Sequence, residues 1–183
     1  MKNIAVHLAT GFEETEAITV IDILRRAQLN VTTVSITGDL KVTGAHNISV
    51  EADKLFENID YESRDVGILP GGMPGTTNLD NHIEVKKRVI EFDLDEKWIG
   101  AICAAPIIIG KLGLLEDKEA ICYPGFEDKL LNAKISDKTT VVANNIITSK
   151  GMGSAIEFAL TIVENLINKE TAIKIAEKII STY

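Results

Sequence analysis

The sequence predicts an α/β sandwich in which a mainly parallel central sheet carries helices on both faces. Short apolar runs of strand length alternate along the chain with longer segments whose apolar residues recur at helical spacing. Strands that alternate with helices imply right-handed crossovers, which place helices on the two faces of the sheet. The 183 residues contain no internal repeat and no Pro/Gly/Ser-rich linker, so we expect a single domain over residues 1–183.

The first half of the chain supplies the first predicted strands and the first helix. Residues 3–8 (NIAVHL) form an apolar run that leads into EETEAITVIDILRRA, which has apolar residues at roughly helical spacing. Acidic residues at the start of that segment and arginines at its end suit a helix dipole. Residues 30–36 (NVTTVSI) are rich in β-branched residues and predict a strand, as does 65–70 (DVGILP), and a short strand is expected around ISVEA.

The second half continues the same alternation to the end of the chain. The predicted strands are WIGAIC, EAICYP and TVVANNIITS, the last with a turn at Asn144-Asn145. The predicted helices are HIEVKKRVIEFDLD, APIIIGKLGLL, a short FEDKLLN, SAIEFALTIVENLIN and KETAIKIAEKIIS.

Composition and charge exclude several classes of function. The chain has 27 acidic and 19 basic residues, a net charge of −8, and no basic cluster. It therefore lacks the charge needed to neutralise phosphates, which argues against binding to nucleic acid or to an anionic membrane. The three histidines are scattered without metal-ligand spacing, so we expect no metal site.

Targeting signals and cysteine usage both favour the cytoplasm. The N-terminal segment turns acidic after a short apolar run and lacks the long apolar region of a signal peptide, and no uncharged stretch is long enough to span a membrane. Two cysteines, Cys103 and Cys122, cannot form a disulfide scaffold. We therefore expect free thiols in a reducing compartment.

Four loops follow the carboxyl ends of predicted strands, where open parallel sheets bind their ligands. They are Thr10–Glu16, Pro70–Gly75, Cys103–Pro106 and Ser149–Gly153, and three of them are rich in glycine.

Cys103 lies where the strand WIGAI ends and the helix APIII begins, between small alanines. A nucleophile on a tight strand-to-helix turn needs such small neighbours, and the helix N-terminus would stabilise its thiolate. The alternative is a structural cysteine, since cysteine is among the residues most often buried in cores. The position alone does not decide between the two.

Two further loops carry residues that could act together with a thiol in the same cleft. Gly71 and Gly72 in LPGGMPG either form a turn with positive φ or present a backbone N–H to an oxyanion. The acids of GFEETE either complement the dipole of the following helix or place one carboxyl in the same cleft. A carboxyl partly buried beside a thiolate would have a raised pKa and, when protonated, could donate a hydrogen bond to sulfur.

Taken in order, GFEETEAITVIDILRRA, LPGGMPG, AICAAP and SKGMGSAIEFAL resemble the ThiJ/PfpI superfamily. The most similar branch is that of the Parkinsonism-associated protein deglycase and the bacterial chaperone YajL. The resemblance continues to the last helix, NKETAIKIAEKI. It implies a flavodoxin-like three-layer sandwich, a homodimer with part of the first helix in the interface, and a cofactor-independent reaction on small aldehydes or glycated adducts.

The resemblance also implies roles for individual residues. The reactive cysteine of the family matches Cys103, and the acid that contacts its sulfur matches Glu16. The backbone N–H groups of the oxyanion-type site match Gly72 and Ala104. Further pocket positions that follow from the match or from the neighbouring motifs are Glu13, Gly71, Tyr123, Arg26 and His46.

The chain departs from family patterns at three positions. Ala104 stands where the protease-like branch has a histidine directly after the cysteine, which weakens a peptidase function. Tyr123 stands in the segment in which the deglycase branch has a histidine, so proton transfer would depend mainly on Glu16. His46 replaces an arginine of the pocket rim, while Arg26 is retained.

Two functions compete on these residues. The first is a glyoxalase or deglycase in which Cys103 forms a hemithioacetal with methylglyoxal, glyoxal or their adducts. The second is a redox-responsive stress protein or chaperone whose Cys103 is oxidised, since an exposed thiol of low pKa oxidises readily. A structural dimer with an incidentally reactive cysteine is the remaining alternative, and no residue supports a role in thiamine synthesis.

Overall fold

The computed structural model describes all of residues 1–183 and contains eleven strands. Their bounds are β1 Asn3–Leu8, β2 Asn30–Ser35, β3 Lys41–Thr43, β4 Ser49–Glu51, β5 Lys54–Leu55, β6 Val66–Leu69, β7 Trp98–Ile102, β8 Glu119–Ala120, β9 Lys134–Ile135, β10 Thr140–Ala143 and β11 Ile146–Ser149.

Six α-helices connect or flank these strands, with three short 3₁₀ turns between them. The helices are α1 Glu14–Arg26, α2 Gly75–Asn81, α3 Ile83–Leu94, α4 Pro106–Lys111, α5 Ala155–Leu166 and α6 Lys169–Lys178.

Seven strands form the central sheet, in the order β10-β11-β7-β6-β1-β2-β5. Every neighbouring pair is parallel except the hairpin of β10 and β11, which confirms the predicted mainly parallel sheet. The strand order reverses at β1, which has β2 on one side and β6 on the other. In open parallel sheets the crevice at such a reversal is the usual ligand site.

Hydrophobic cores on the two faces of the sheet make the molecule a three-layer sandwich. On one face α1, α5 and α6 bury their apolar sides, with Val20 and Leu24 of α1 and Phe158 of α5 fully enclosed. On the other face α3 and α4 bury Val85, Phe92 and other apolar residues against the same strands. Burial of each large side chain stabilises the fold by about 1.5–3 kcal/mol, so both helical layers are firmly fixed.

The short strand predicted around ISVEA is confirmed as β4. The sequence did not indicate its position: β4 pairs antiparallel with β3 and lies outside the central sheet. Its turn is tied to the start of α1, because the Glu14 carboxylate accepts hydrogen bonds from the backbone N–H groups of His46 and Ile48. A buried carboxylate thus holds the hairpin in place, which strand patterning does not reveal.

Three shorter elements differ from prediction. The strand expected over EAICYP is reduced to β8, which pairs with β9 in a separate small sheet, and FEDKLLN forms only a 3₁₀ turn over Glu127–Lys129. Helix α2 was not predicted, since Gly, Thr and Asn are weak helix formers. Its start is fixed by a tertiary contact, in which the Gly75 N–H donates to the carbonyl of Gly11 at 3.0 Å.

None of the helices could cross a lipid bilayer, since none combines the necessary length with a sufficiently apolar sequence.

Candidate active site

Cys103 occupies a strained turn between β7 and α4. Its φ is +64°, in the left-handed region that side-chain-bearing residues rarely adopt. Neighbouring loops hold this conformation: the Cys103 N–H donates to the Ser149 carbonyl at 2.9 Å, and the Cys103 carbonyl accepts from the Tyr123 N–H at 2.7 Å. Backbone strain that the surroundings enforce in this way is concentrated at functional sites, which favours the reactive interpretation of this cysteine.

Glu16 lies buried at the start of α1 and faces the sulfur. One of its oxygens accepts a hydrogen bond from the Gly71 N–H at 3.0 Å, and both this bond and the interaction with the Cys103 side chain act to lower the pKa of Glu16. Burial raises the pKa of Glu16 to about 7, and the nearby charge of Glu13 acts in the same direction. The carboxyl is therefore able to carry or release a proton near neutral pH.

The electrostatics of the thiol correct one expectation. The backbone N–H groups of Gly72 and Ala104 lower the pKa of Cys103, as the helix N-terminus predicts. Burial and the negative charge of Glu16 outweigh them and raise the pKa of the thiol to about 12. The helix N-terminus alone thus does not make this cysteine a thiolate.

Cys103 and Glu16 instead titrate as a pair. The first proton leaves the pair near pH 7 and the second only under strongly alkaline conditions. Between these two steps the pair holds one proton, which lies mainly on sulfur, and its transfer to the carboxyl forms the thiolate. The form with a thiolate and a protonated Glu16 has both a nucleophile and an adjacent proton donor.

Gly71 and Gly72 permit the close approach of three loops. A Cβ at Gly71 would lie 2.5 Å from the Cys103 Cβ and 2.7 Å from a Glu16 carboxylate oxygen. Gly72 has φ +91°, and a Cβ there would collide with the backbone of Glu13. From the sequence, Gly71 and Gly72 could either form a turn with positive φ or present backbone N–H groups to the site. The structure combines the two, because the turn has a positive φ at Gly72 and its backbone N–H groups face both reactive side chains.

The loop Ser149–Gly153 closes the other side of the site. A Cβ at Gly151 would lie 3.9 Å from the Cys103 Sγ and 3.4 Å from the Tyr123 ring. The Ser154 hydroxyl fixes this loop by bonding to Gly151 and to Ser149, with 2.8 Å between the two serine Oγ atoms. Sequence reasoning named the SKGMGS motif but did not identify this serine pair.

A cluster of Glu13, Glu14 and His46 lies at the rim. The His46 Nδ1 is 2.9 Å from Glu14 Oε2 and 3.8 Å from Glu13 Oε2, and the hydrogen bond to Glu14 raises the pKa of His46. Ligand atoms of the three residues lie within 4.8 Å of one another, as a metal site would need. Sequence spacing did not indicate this arrangement, because 32 residues separate His46 from Glu14. The Glu14 carboxylate is already engaged by His46 and by two backbone N–H groups, so hydrogen bonding accounts for the cluster.

The remaining candidates divide between the site and more distant positions. Tyr123 stands half-exposed beside Gly151, and Glu13 lies at the rim with its N–H bonded to the Gly71 carbonyl. Arg26 lies in the last turn of α1, at the opposite end of that helix from Glu16, and pairs with Asp22 at 2.6 Å. Within one chain the fold does not bring Arg26 to the cleft.

Comparison with known families and proteins yields consistent matches. Residues 2–165 match the model of the DJ-1/PfpI family. The Protein DJ-1 homolog B of Arabidopsis thaliana is 38% identical over 177 residues, which cover 96% of this chain and 40% of the relative. The chain therefore spans about two fifths of the length of that relative.

Two further relatives match over nearly their full length. The Glutathione-independent glyoxalase DJ-1 of Schizosaccharomyces pombe is 28% identical, with 93% of this chain and 94% of the relative covered. A solved structure of Toxoplasma gondii DJ-1, oxidized, is 36% identical and superposes with a TM-score of 0.96 over 100% of both chains.

Proposed function

The chain belongs to the DJ-1/PfpI family, and we propose that it is a cysteine-dependent, cofactor-independent glyoxalase or deglycase. Its substrates would be methylglyoxal, glyoxal or their adducts. The observation that supports this most strongly is the strained turn that sets the Cys103 thiol against the buried carboxyl of Glu16. The name of the fission yeast relative, a glutathione-independent glyoxalase, agrees with such a reaction.

In the first step the Cys103 thiolate attacks the aldehyde carbon of the substrate. A carbon–sulfur bond forms, and the electron pair of the carbonyl moves to its oxygen. The N–H groups of Gly72 and Ala104 stabilise the developing oxyanion. The proton of the Glu16 carboxyl then neutralises this oxygen, which yields a hemithioacetal and leaves Glu16 ionised.

In the second step Glu16 acts as the base. It removes the proton from the former aldehyde carbon and returns it to the neighbouring carbonyl carbon, while the hydroxyl proton of the hemithioacetal moves from the first oxygen to the second, which converts the hemithioacetal to the thioester of a 2-hydroxy acid. Water then hydrolyses the thioester, releases lactate or glycolate and restores the thiol. One carbon of the substrate is oxidised and its neighbour reduced, so no external redox partner is needed.

The experiment that tests this function is turnover of methylglyoxal to lactate in the absence of added thiol. Purified wild type should form lactate and Cys103→Ser should not, since a serine hydroxyl in this site lacks a group able to deprotonate it efficiently. Undiminished lactate formation by Cys103→Ser would refute the proposal. A peptidase activity is not proposed, because Ala104 leaves Cys103 without the adjacent histidine that such enzymes use.

We also propose that the protein acts as a cytoplasmic homodimer. Both cysteines are free, in keeping with a reducing compartment. Three large apolar side chains are exposed on α1, on the hairpin turn that is bonded to α1, and on α5, and exposed apolar surface of this kind is typical of a subunit interface. They are Ile18, Ile48 and Ile156. Sedimentation equilibrium should give twice the monomer mass for wild type and a lower mass for Ile18→Lys.

A second candidate function is redox sensing through Cys103. The sulfur is partly exposed, and the N–H groups and the Glu16 carboxyl around it are donors that would hold an oxidised product. In this scheme two equivalents of peroxide convert the thiolate to a sulfinate and release two waters. Selective addition of two oxygens at Cys103 under mild peroxide, together with weak aldehyde turnover, would favour this function over catalysis.

A further inference from the structure

A cavity of about 410 Å³ opens directly beside the candidate active site. Tyr123, Pro124, Gly151 and Met152 form part of its wall. Gly151 is shared with the reactive centre, because a Cβ on this residue would lie 3.9 Å from the Cys103 Sγ and 4.0 Å from a Glu16 oxygen. The cavity and the reactive centre are therefore adjacent and share Gly151.

The size of the cavity exceeds what methylglyoxal needs. Pockets of about 300–1,000 Å³ are typical of drug-sized ligands, whereas methylglyoxal has only five non-hydrogen atoms. The wall residues Tyr123, Pro124 and Met152 offer apolar surface suited to a ring or an alkyl chain. The space next to Cys103 thus fits a substrate with a body beyond its reacting aldehyde.

The same cavity contains a cation that has no partner within the chain. Lys150 lines the cavity and is partly buried, and its backbone N–H is fixed to the Thr139 carbonyl at 2.9 Å. The Lys150 ammonium makes no ion pair or side-chain hydrogen bond, although the protein carries a net charge of −8. Glu157, which accepts hydrogen bonds from the Thr139 hydroxyl, does not pair with it. An unpaired ammonium in a largely apolar cavity favours an anionic ligand.

We propose that the cavity binds the tail of an α-oxoaldehyde substrate that carries a carboxylate. The aldehyde carbon reaches Cys103, the apolar body of the substrate lies against Tyr123 and Met152, and the carboxylate pairs with Lys150. This inference rests on the proposed function and specifies its substrate class. The reaction remains the internal transfer described above, so 4-carboxyphenylglyoxal and water give 4-carboxymandelate.

The test compares phenylglyoxal with 4-carboxyphenylglyoxal as substrates of wild type, Lys150→Met and Lys150→Arg. In wild type the carboxylated substrate should have the higher kcat/KM. Lys150→Met should reduce the ratio of the two kcat/KM values about fivefold, through KM rather than kcat, as expected for loss of one partly solvated ion pair. Lys150→Arg should retain most of the ratio. Lys178→Met, which removes an exposed and unpaired lysine at the end of α6, is the matched control and should leave the ratio unchanged.

Binding measurements separate this inference from the proposed function. Calorimetric titration with mandelate and 4-carboxymandelate needs no turnover, and Lys150→Met should weaken only the preference for the second ligand, again about fivefold. The inference would be overturned if Lys150→Met changed the binding of both ligands and the kcat/KM of both substrates equally. It would also be overturned if Lys150→Met changed the oligomeric state and left the preference for the carboxylated ligand intact. A wild type that turns over neither aldehyde but prefers 4-carboxymandelate through Lys150 would refute the glyoxalase function and retain the anion site.

Discussion

Cys103 and Cys122 are the same residue type, 19 positions apart, in very different surroundings. Cys122 is fully buried in the core between the sheet and α3–α4, and burial raises the pKa of its thiol to about 11. Cys103 is partly exposed, and its pKa is raised as well, to about 12. What distinguishes Cys103 is its strained turn, the two backbone N–H groups and a carboxyl that exchanges a proton with it. The comparison teaches that the partners of a thiol, rather than its own pKa, decide whether it can be a nucleophile here.

The largest expected effect separates the two cysteines directly. Cys103→Ser should lower kcat/KM for methylglyoxal at least about 10³-fold, since it removes the nucleophile. Cys122→Ser should change kcat/KM less than about threefold while it lowers the free energy of unfolding, because a hydroxyl is placed in an apolar core. Lactate assays and urea denaturation of both variants measure these changes. If the two variants lost similar activity at equal stability, Cys103 and Cys122 would not differ in their contribution to catalysis.

The next effect tests the partner of the thiol. Glu16→Gln should lower kcat/KM about 10²-fold or more, since it removes the group that moves protons in both steps. Glu14→Gln is the matched control, because Glu14 is another buried acid of α1 whose carboxylate bonds to the hairpin instead of the sulfur. It should reduce stability more than kcat. A Glu16→Gln enzyme with wild-type activity would remove the carboxyl from the mechanism.

Gly71→Ala should perturb the space around both reactive groups. Its Cβ would lie 2.5 Å from the Cys103 Cβ, so the loops must move apart, at a cost of about 1–3 kcal/mol in stability and about tenfold in kcat/KM. Gly153→Ala adds the same methyl group where no atom lies within 4 Å. Parallel measurement of melting temperature and kcat/KM should show losses only for Gly71→Ala. Comparable behaviour of the two variants would mean that the close approach is unimportant.

Stability should depend on pH through Glu16. Its pKa is about 7 in the folded protein and about 4.5 in the unfolded chain, so the unfolded state loses its proton first as pH rises. The stabilisation is complete below pH 4.5 and is lost as pH rises through 7, by about 3 kcal/mol in total. Denaturation of wild type at pH 5 and pH 8 should show this decline. Glu16→Gln should lack it, and a decline of equal size in that variant would assign the effect to other groups.

The smallest effect concerns Tyr123, which stands in place of a family histidine. The Tyr123 hydroxyl has no hydrogen-bond partner, whereas the Tyr123 backbone N–H holds the Cys103 carbonyl. Tyr123→Phe keeps that backbone contact and should lower kcat/KM no more than about threefold. A loss greater than tenfold in steady-state assays would make the phenol a proton donor in the reaction.

The pattern of apolar residues predicted the central strands and the helices packed on them, but not the shorter elements joined to them. The β1–α1 unit and the helices α3, α5 and α6 could be predicted because apolar periodicity is strong where helices pack on a sheet. Helix α2, the β3–β4 hairpin and the short β8–β9 sheet could not, since specific long-range hydrogen bonds fix them.

The candidate site likewise has features that the sequence predicts and features that only the structure reveals. The turn at Cys103 and the glycines of LPGGMPG were visible as small residues at strand ends, and Glu16 was assigned by resemblance. The raised thiol pKa, the His46–Glu14 bond and the unpaired Lys150 depend on three-dimensional neighbours.

The pH dependence of Cys103 alkylation tests most directly whether Cys103 and Glu16 share a proton. The alkylation rate is measured in the Cys122→Ser background, in which Cys103 is the only thiol. In a protein with Glu16 intact, the rate should rise in a step near pH 7, where the pair loses its first proton. With Glu16→Gln the step should move above pH 9, because burial still opposes the thiolate and the carboxyl no longer supplies or accepts a proton. A step near the free-thiol value of about 8.5 in both proteins would contradict the account.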